Sequence, residues 1–533
     1  MADHIADSIE LKSNNLAQIQ SRISAAERQV EGIEEQMEKL RSAYDAQISE
    51  LRRQRDAKAL EIASHKNLLS PVHQLPIEVL SKIFELSCSP DADIAPEHDI
   101  IRRTFVLSKI CVHWRKVAHD TPRIWSRVCL SMSQHLRAIT GDVVWVGEWL
   151  SRSRGLPIEL HLNFLNPYSR RQDITRGMYK LLQFALTHRH RIQILNLSGD
   201  MSCFLPIFRL PPSSLPLLKK LSLHSAFQDP YPIPYDIDIQ AFLGSLELSQ
   251  VELSKSGPIT GFFESLILPT TQLVALQVKD TSPSFPKLPV YVDLFQQCPN
   301  LVNLIIDLQM SSGFDPTISI SLPSLKFLDI VCRQLSQGVS LLHCLVVPSL
   351  QDLSLHWCGL SFPEFIRDID RLRNHSESAS RLTSLTVYIR WLYTNDDLTL
   401  LLALFPRVTS VRIYRIEFDV SAFLRAMTYS RGDPVLLPKI LDLELGFKTL
   451  TDRQSYYPSE LVPMILSRSW PARSHPDTEI TSRQVMDLED DVTNEVCRLQ
   501  KFNLYGSWLK EPDEELIAGI PGLTFEYHPN GCK

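Results

Sequence analysis

The sequence predicts a mixed α/β protein in three parts: an N-terminal coiled-coil helix, a small all-α module, and an irregular solenoid of short parallel strands and helices. Three observations carry this. Apolar residues recur at alternating steps of three and four over residues 16–51, the spacing that holds one seam on a supercoiled helix. Two short apolar helical runs, split by a polar stretch, follow between residues 70 and 130. From about residue 190 an apolar-x-x-apolar-x-apolar pattern returns ten times, its centres 24 to 32 residues apart. The three parts are residues 1–69, 70–130 and 131–533.

The first part reads as a heptad helix. Leu16, Ile19, Ile23, Ala26, Val30, Ile33, Met37, Leu40, Tyr44, Gln47 and Leu51 form the seam. Glu27, Arg28, Glu31, Glu34, Glu35, Glu38, Lys39 and Arg41 lie between them as a solvated surface. No proline interrupts the run before Pro71. An amphipathic helix alone leaves its stripe in water, so the seam calls for a homodimer or another coil; the alternative is a helix that folds back onto its own chain or sits exposed and marginal. Polar Gln47 and small Ala26 weaken it. The cluster Arg52, Arg53, Arg55 and Lys58 reads as a charged helix face rather than a nuclear address.

The second part starts at the break Ser70-Pro71. Pro76 suits a first helical turn, where a missing N–H costs little. Ile77, Leu80, Ile83 and Phe84 then build an apolar stripe. A polar stretch through Asp91, Asp93, Pro96, Glu97, His98 and Asp99 reads as a loop. A second helical run covers Phe105 to Ala118, closed by Thr121-Pro122-Arg123-Ile124-Trp125. So few residues bury little core, and much of this apolar surface calls for a partner.

The ordered set Leu75-Pro76-x-Glu78-x-Leu80-x-x-Ile83-Phe84, Cys111-x-x-Trp114-Arg115 and Pro122-x-x-Trp125 resembles the F-box motif, in the form common among F-box-like proteins of mushroom-forming fungi. The resemblance implies a compact three-helix module docking on the Skp adaptor, and through it on the cullin scaffold, of an SCF (cullin–RING) ubiquitin ligase. The family's contact positions fall on Leu75, Pro76, Ile77, Leu80, Ile83, Leu107 and Trp114. The sequence departs from the motif by 16 residues inserted between Cys88 and Phe105.

In the third part the pattern is centred on Leu195, Leu221, Val251, Leu276, Leu304, Leu328, Leu353, Leu385, Val411 and Leu443, with an eleventh candidate at Leu499, Phe502 and Leu504. Alternation inside each unit is the period-two mark of a strand with one buried face. Helical pieces lie between units, at Met178–Leu186, Val292–Gln297, Leu398–Phe405 and Glu460–Ser467. Trp149–Ser153 and Leu156–Leu162 read as a helix end and a first strand. A strand and a helix at this period resemble leucine-rich repeats, of a degenerate kind. The family's Asn or Cys position holds Asp200, Ala226, Ser256, Thr281, Gln309, Arg333, Cys358, Arg390, Ile416 and Lys448, so only Cys358 fits and the usual side-chain ladder is missing. An unrelated α/β domain with parallel strands is the other reading.

Bulk properties narrow the function. A net charge of −6 and a pI near 6.3 leave no electrostatic footprint for nucleic acid. Ten scattered cysteines lack zinc-site spacing and read as reduced core thiols. No apolar leader and no membrane span are legible, so the expected compartment is cytosol or nucleus. No nucleophile elbow, P-loop or dinucleotide turn is present, and no cofactor or catalytic residue is assigned. His188-Arg189-His190 lacks completing metal ligands, and Cys111-Val112-His113 sits inside the helical module. Asp487, Glu489, Asp490 and Asp491 read as a solvated acidic loop.

What remains is a protein-binding surface. The leucine-rich resemblance turns Asn196, Ser222, Glu252, Gln277, Ile305, Asp329, Ser354, Thr386, Arg412 and Glu444 to one side, followed by His224, Lys279, Asp307, His356, Tyr388 and Tyr414. Aromatics gather late, at Trp357, Tyr388, Trp391, Tyr393 and Tyr414, and aromatic side chains anchor protein interfaces. His356, Tyr388, Arg412 and Tyr414 are therefore the candidate target-binding residues. The expected role is a substrate-recognition subunit; the alternative is a leucine-rich scaffold unconnected with ubiquitin transfer.

Overall fold

The computed structural model describes residues 2–68, 75–88, 99–131, 143–164, 182–183, 185–225, 238–256, 265–281, 288–310, 315, 317–334, 340–357, 362–376, 381–389, 395–416, 420–430, 435–447, 459–469, 496–506 and 509–528. Cys358, Arg390, Trp391, Tyr393 and the acidic run Asp487–Asp491 lie outside them. Two compact units result, residues 1–83 and 84–533.

In the first unit a single helix spans Ala2–Leu68, about 100 Å at 1.5 Å per residue. Its large apolar seam residues are exposed, from Ile23 at 50% to Met37 at 66%. Ion pairs such as Glu35–Lys39 (3.7 Å) and Glu50–Arg53 (2.8 Å) decorate the solvated faces. Exposed pairs of this kind are screened by solvent and contribute little to stability.

The helix Ile77–Ser87 follows Pro76, whose carbonyl accepts from Leu80 N (3.0 Å). One face, Leu80, Phe84 and then Cys88, is buried. Val79, Ile83 and Leu86, at helical spacing, are exposed.

In the second unit the sequence reading needs correction. The expected helical run Phe105–Ala118 is two helices, Asp99–Ile110 and Val112–His119. Cys111 is extended (φ −155°), and its Sγ accepts from Trp114 N (3.4 Å) as the cap of the second helix. Arg115 Nε donates to Ser108 O (2.9 Å), satisfying a carbonyl that the break would orphan. Asp99, read as loop, starts the first of these helices. Pro122–Trp125 forms a 3-10 turn burying Ile124 and Trp125.

The rest of this unit is built on a sheet of fourteen strands among the described residues, all parallel and in chain order, beside a short parallel pair, Ile320–Ser321 with Leu345–Val346. They span Arg127–Ser131, Ile158–Phe164, Ile192–Gly199, Lys220–Ser225, Gln250–Lys255, Ala275–Asp280, Asn303–Met310, Phe327–Gln334, Asp352–Trp357, Ser384–Ile389, Ser410–Ile416, Asp442–Phe447, Lys501–Tyr505 and Thr524–His528. All ten pattern centres fall in strands, and so do Phe502 and Leu504 of the eleventh candidate. The helices Leu288–Gln296, Asn395–Ala403 and Leu461–Ser469 occupy the expected connections. Of Met178–Leu186, the described residues are Leu182, Gln183, Ala185 and Leu186.

Two strands of the large sheet were not expected. Trp125-x-x-Val128-x-Leu130 carries the repeat spacing, but Trp125 reads in the sequence as part of the helical module. Thr524–His528 escapes because Gly522, at φ 79°, opens a unit whose neighbour carries Leu499.

The first residue of the pattern is the anchor. Ile192, Leu218, Leu248, Leu273, Leu301, Leu325, Leu350, Leu382, Val408, Ile440 and Leu499 are each at most 2% exposed. Burying one such side chain stabilises by about 1.5–3 kcal/mol. Beside them runs a backbone chain. Lys219 N donates to Gln193 O, Ser249 to Lys219, Val274 to Ser249, Val302 to Val274, Lys326 to Val302 and Gln351 to Lys326. Thr383 continues to Gln351, Thr409 to Thr383, Leu441 to Thr409, Gln500 to Leu441 and Thr524 to Gln500, all at 2.7–3.1 Å. Main-chain pairing thus ties repeat to repeat without the missing side-chain ladder. The helices cover the other side of this core, as Phe365, Ile369 and Leu372 do on Phe362–Ser376.

Glu159, paired in register with Arg127, illustrates the electrostatics of the first strands. Burial raises its pKa, but His161, at 4.0 Å, and the Arg127 guanidinium outweigh that and hold it down to about 2, from 4.5. The folded value lies below the unfolded one, so the stabilisation is present above pH 4.5 and lost as pH falls toward 2. It amounts to at most about 3 kcal/mol. In urea titrations, Glu159→Gln should be less stable than the parent at neutral pH, with the gap closing in acid. A gap that is independent of pH would refute this.

Candidate protein-interaction surface

Parallel pairing in register places one residue per strand in each row of the open sheet face. The middle row runs His161, Asn196, Ser222, Glu252, Gln277, Ile305, Asp329, Ser354, Thr386, Arg412, Glu444, Asn503. The next row runs Ser198, His224, Ser254, Lys279, Asp307, Val331, His356, Tyr388, Tyr414. Both rows match the sequence reading. Neighbours in a row sit about 4.8 Å apart, the strand spacing.

That spacing brings the four candidate target-binding residues together. The His356 and Tyr388 rings stack at 3.7 Å between centroids and 10° between planes, and Tyr388 and Tyr414 lie 5.0 Å apart. At one end His356 Nε2 is 3.1 Å from Asp329 Oδ1. At the other the Tyr414 hydroxyl donates to Glu444 Oε1 (2.6 Å), and Arg412 Nε lies 3.8 Å from Glu444 Oε2. Asn503 Nδ2 adds a longer contact to Glu444 Oε2 (3.4 Å), leaving its buried Oδ1 without a partner. Burial raises the Tyr388 pKa, aided by the charges of Asp329 and Glu444. Burial also raises that of Tyr414, followed by its hydrogen bond to Glu444. Both phenols therefore stay protonated and can donate hydrogen bonds. Trp357 lies on the strand beside them, at a position whose side chain is outside the description.

A pocket of 380 Å³ lies on the same face, toward the N-terminal strands. Ala275 leaves the space, and Gln250, Glu252, Gln277, Asn303, Ile305 and Phe327 surround it. Lys220 Nζ is 2.6 Å from Glu252 Oε1, and Ser222 Oγ donates to Oε2 (2.8 Å). Burial works against the Glu252 carboxylate, but these two partners hold its pKa below the usual value. Sequence reading missed Gln250, Ala275, Asn303 and Phe327, which open their strands. The available signal was alanine at a row position flanked by longer side chains.

The positions implied to contact an adaptor are placed as follows. In the first unit Leu75 is half-buried, Pro76 exposed, Ile77 52% exposed, Leu80 buried at 1% and Ile83 43% exposed. In the second, Leu107 and Trp114 are half-buried, and Trp114 packs on Phe84 at 5.0 Å. Phe105, Val106, Ile110 and Val112 are exposed there as well.

Elsewhere one polar cluster resembles a hydrolytic set in composition only. Ser340 Oγ donates to Asp368 Oδ2 (2.5 Å), and His343 Nδ1 is 3.1 Å from Asp368 Oδ1. The Arg371 guanidinium, a donor, meets His343 Nε2, so Nδ1 carries the proton. The hydroxyl serves the carboxylate rather than the imidazole, and Ser340 is 2% exposed. The arrangement ties the helix Leu341–Cys344 to Phe362–Ser376. Among the described residues no three metal-ligating side chains converge, and no helix is long and apolar enough to cross a membrane.

No protein-family model and no curated protein matches this sequence. Among solved structures, the crystal structure of a TLR13–ssRNA13 complex is similar at 12% identity and a TM-score of 0.28, covering 76% of this chain. This chain spans 62% of the length of that one. A likeness so distant carries no argument, and the fold rests on the strands themselves. Their order, register and spacing make the fourteen strands a leucine-rich-repeat-like array among the described residues.

Proposed function

We propose that this chain is a repeat-based receptor, the substrate-recognition subunit of an SCF-type ubiquitin ligase. The single observation that supports a receptor best is the open sheet face, where His356, Tyr388, Arg412 and Tyr414 cluster as aromatic and charged groups suited to anchoring a protein. The link to ubiquitin transfer rests on the F-box-like residues. Ile77 and Ile83, apolar and exposed, suit docking on a Skp adaptor. Leu80 and Phe84 are buried and act as core. The receptor accelerates transfer by proximity, since a target held near the charged ubiquitin carrier reacts as if at high local concentration. The second reading is a leucine-rich interaction scaffold with no adaptor, which the open face supports equally.

Co-expression of the full chain with a Skp adaptor and gel filtration separates the two. A stoichiometric complex is expected. The variant Ile77→Glu/Ile83→Glu should lose it by about a hundredfold or more, as two buried interface anchors would. Both positions are exposed, so the thermal midpoint of the variant should match the parent. No complex at micromolar concentration, or one indifferent to these substitutions, would leave the scaffold reading.

A further inference from the structure

The Ala2–Leu68 helix holds eleven seam positions in water, every one of them exposed. We propose that the partner of this seam is a second copy of the same helix, parallel and in register. The inference stands apart from the receptor reading.

Steps of three and four assign the seam. Leu16, Ile23, Val30, Met37, Tyr44 and Leu51 take the a positions, and Ile19, Ala26, Ile33, Leu40 and Gln47 take d. The residues flanking the seam then follow by counting. Asn15, Arg22, Gln29, Gln36, Ala43 and Glu50 take g; Gln20, Glu27, Glu34, Arg41, Ile48 and Arg55 take e. In a parallel pair each g residue meets the e residue five positions further along the other helix. The pairs are Asn15–Gln20, Arg22–Glu27, Gln29–Glu34, Gln36–Arg41, Ala43–Ile48 and Glu50–Arg55. Two join opposite charges, Ala43–Ile48 is apolar, and no pair joins like charges. Symmetry doubles every one.

The half-exposed Ile48 gains cover in this arrangement, at 44% in the single helix. Glu50 and Arg55 have local partners in Arg53 and Asp56, but these pairs are exposed and exchange at little cost. Gln47 faces its own copy, where the two amides can hydrogen-bond each other and fix the register.

The antiparallel alignment that keeps the whole seam buried does worse. It sets Gln47 against Ile23, leaving a buried amide without a partner, and Glu34 against its own copy. Favourable pairing with an unrelated coil would be a coincidence of charge. Pairing with itself follows from the order Arg22, Glu27, Glu50, Arg55 along one chain.

The test uses the full chain. Light scattering after gel filtration should give a dimer at micromolar concentration. Arg22→Glu turns the pairing with Glu27 into a repulsion between carboxylates, twice per dimer, and should weaken the dimer about tenfold. Arg22→Glu/Glu27→Arg should restore it, which damage to the helix alone would not do. Under mild oxidation Ile33→Cys should give a cross-linked dimer absent from the parent, whose native cysteines serve as the control. A monomer throughout would overturn the proposal. So would a dimer unaffected by Val30→Glu, since the contact would lie elsewhere. Cross-linking only in a mixture of Ile33→Cys with Met37→Cys would show the antiparallel pair instead.

Discussion

Replacing Arg468 with alanine is expected to destabilise the C-terminal repeats by about 3–5 kcal/mol. Arg468 sits on the helix Leu461–Ser469 and is 1% exposed. Its guanidinium donates to Met427 O (2.7 Å), Leu436 O (2.6 Å) and Leu437 O (3.2 Å). Leu437 holds a left-handed φ of 54° in the turn that the arginine clasps. Burial lowers the pKa to about 10, so the group remains charged at neutral pH. Alanine would strand the Met427 and Leu436 carbonyls in the interior, each worth about 1–3 kcal/mol when unpaired, and would leave Leu437 O with Ile440 N (3.3 Å) alone. Lysine cannot span three acceptors in one plane and should recover only part of the loss. Stacked repeats can unfold in parts, so hydrogen exchange is the appropriate measurement. Amides of residues 421–430 and 461–469 should lose protection while the strands before residue 300 keep theirs. Uniform loss of protection, or none, would refute a local clasp.

Trp125→Ala is expected to cost about 3–5 kcal/mol, the usual range for emptying a large aromatic site. Trp125 is fully buried and meets Trp149 edge-on at 4.7 Å. Its Nε1 donates to Ala118 O (2.6 Å), and Arg152 lies over the ring at 4.7 Å. It joins the helix Val112–His119 to the first strand, Arg127–Ser131. Trp125→Phe keeps a ring but not the hydrogen bond, and should lose about half as much. Urea midpoints of the three proteins check the order. If Trp125→Ala lay within about 1 kcal/mol of the parent, this residue would not be a keystone of the entry to the sheet.

How much was legible in the residues varies by element. The repeat was, because each unit buries the same three apolar positions and the period-two alternation survives without the family's asparagine. The open-face rows followed from that alternation together with the leucine-rich resemblance. His356, Tyr388 and Tyr414 were legible as neighbours because parallel register carries one residue per strand into each row. The break at Cys111 was not legible, since Phe105–Ala118 has helical composition throughout and the interruption depends on Arg115 and the Cys111 thiol capping the two ends. The pocket at Ala275 was not legible either, because it is a gap between side chains of four strands.

The sequence by itself determined the repeat of short strands, the apolar positions each unit buries and the heptad seam, because each is a periodic property of one chain and periodicity is local. Only the tertiary structure decided which apolar residues are core and which are surface. Leu80 and Ile83 look alike in the sequence, yet one is 1% exposed and the other 43%. Arg468, a charged residue near a helix end, reads as solvated until three distant carbonyls are found around it. Burial and polar satisfaction depend on what the rest of the chain brings alongside, and no local pattern records that.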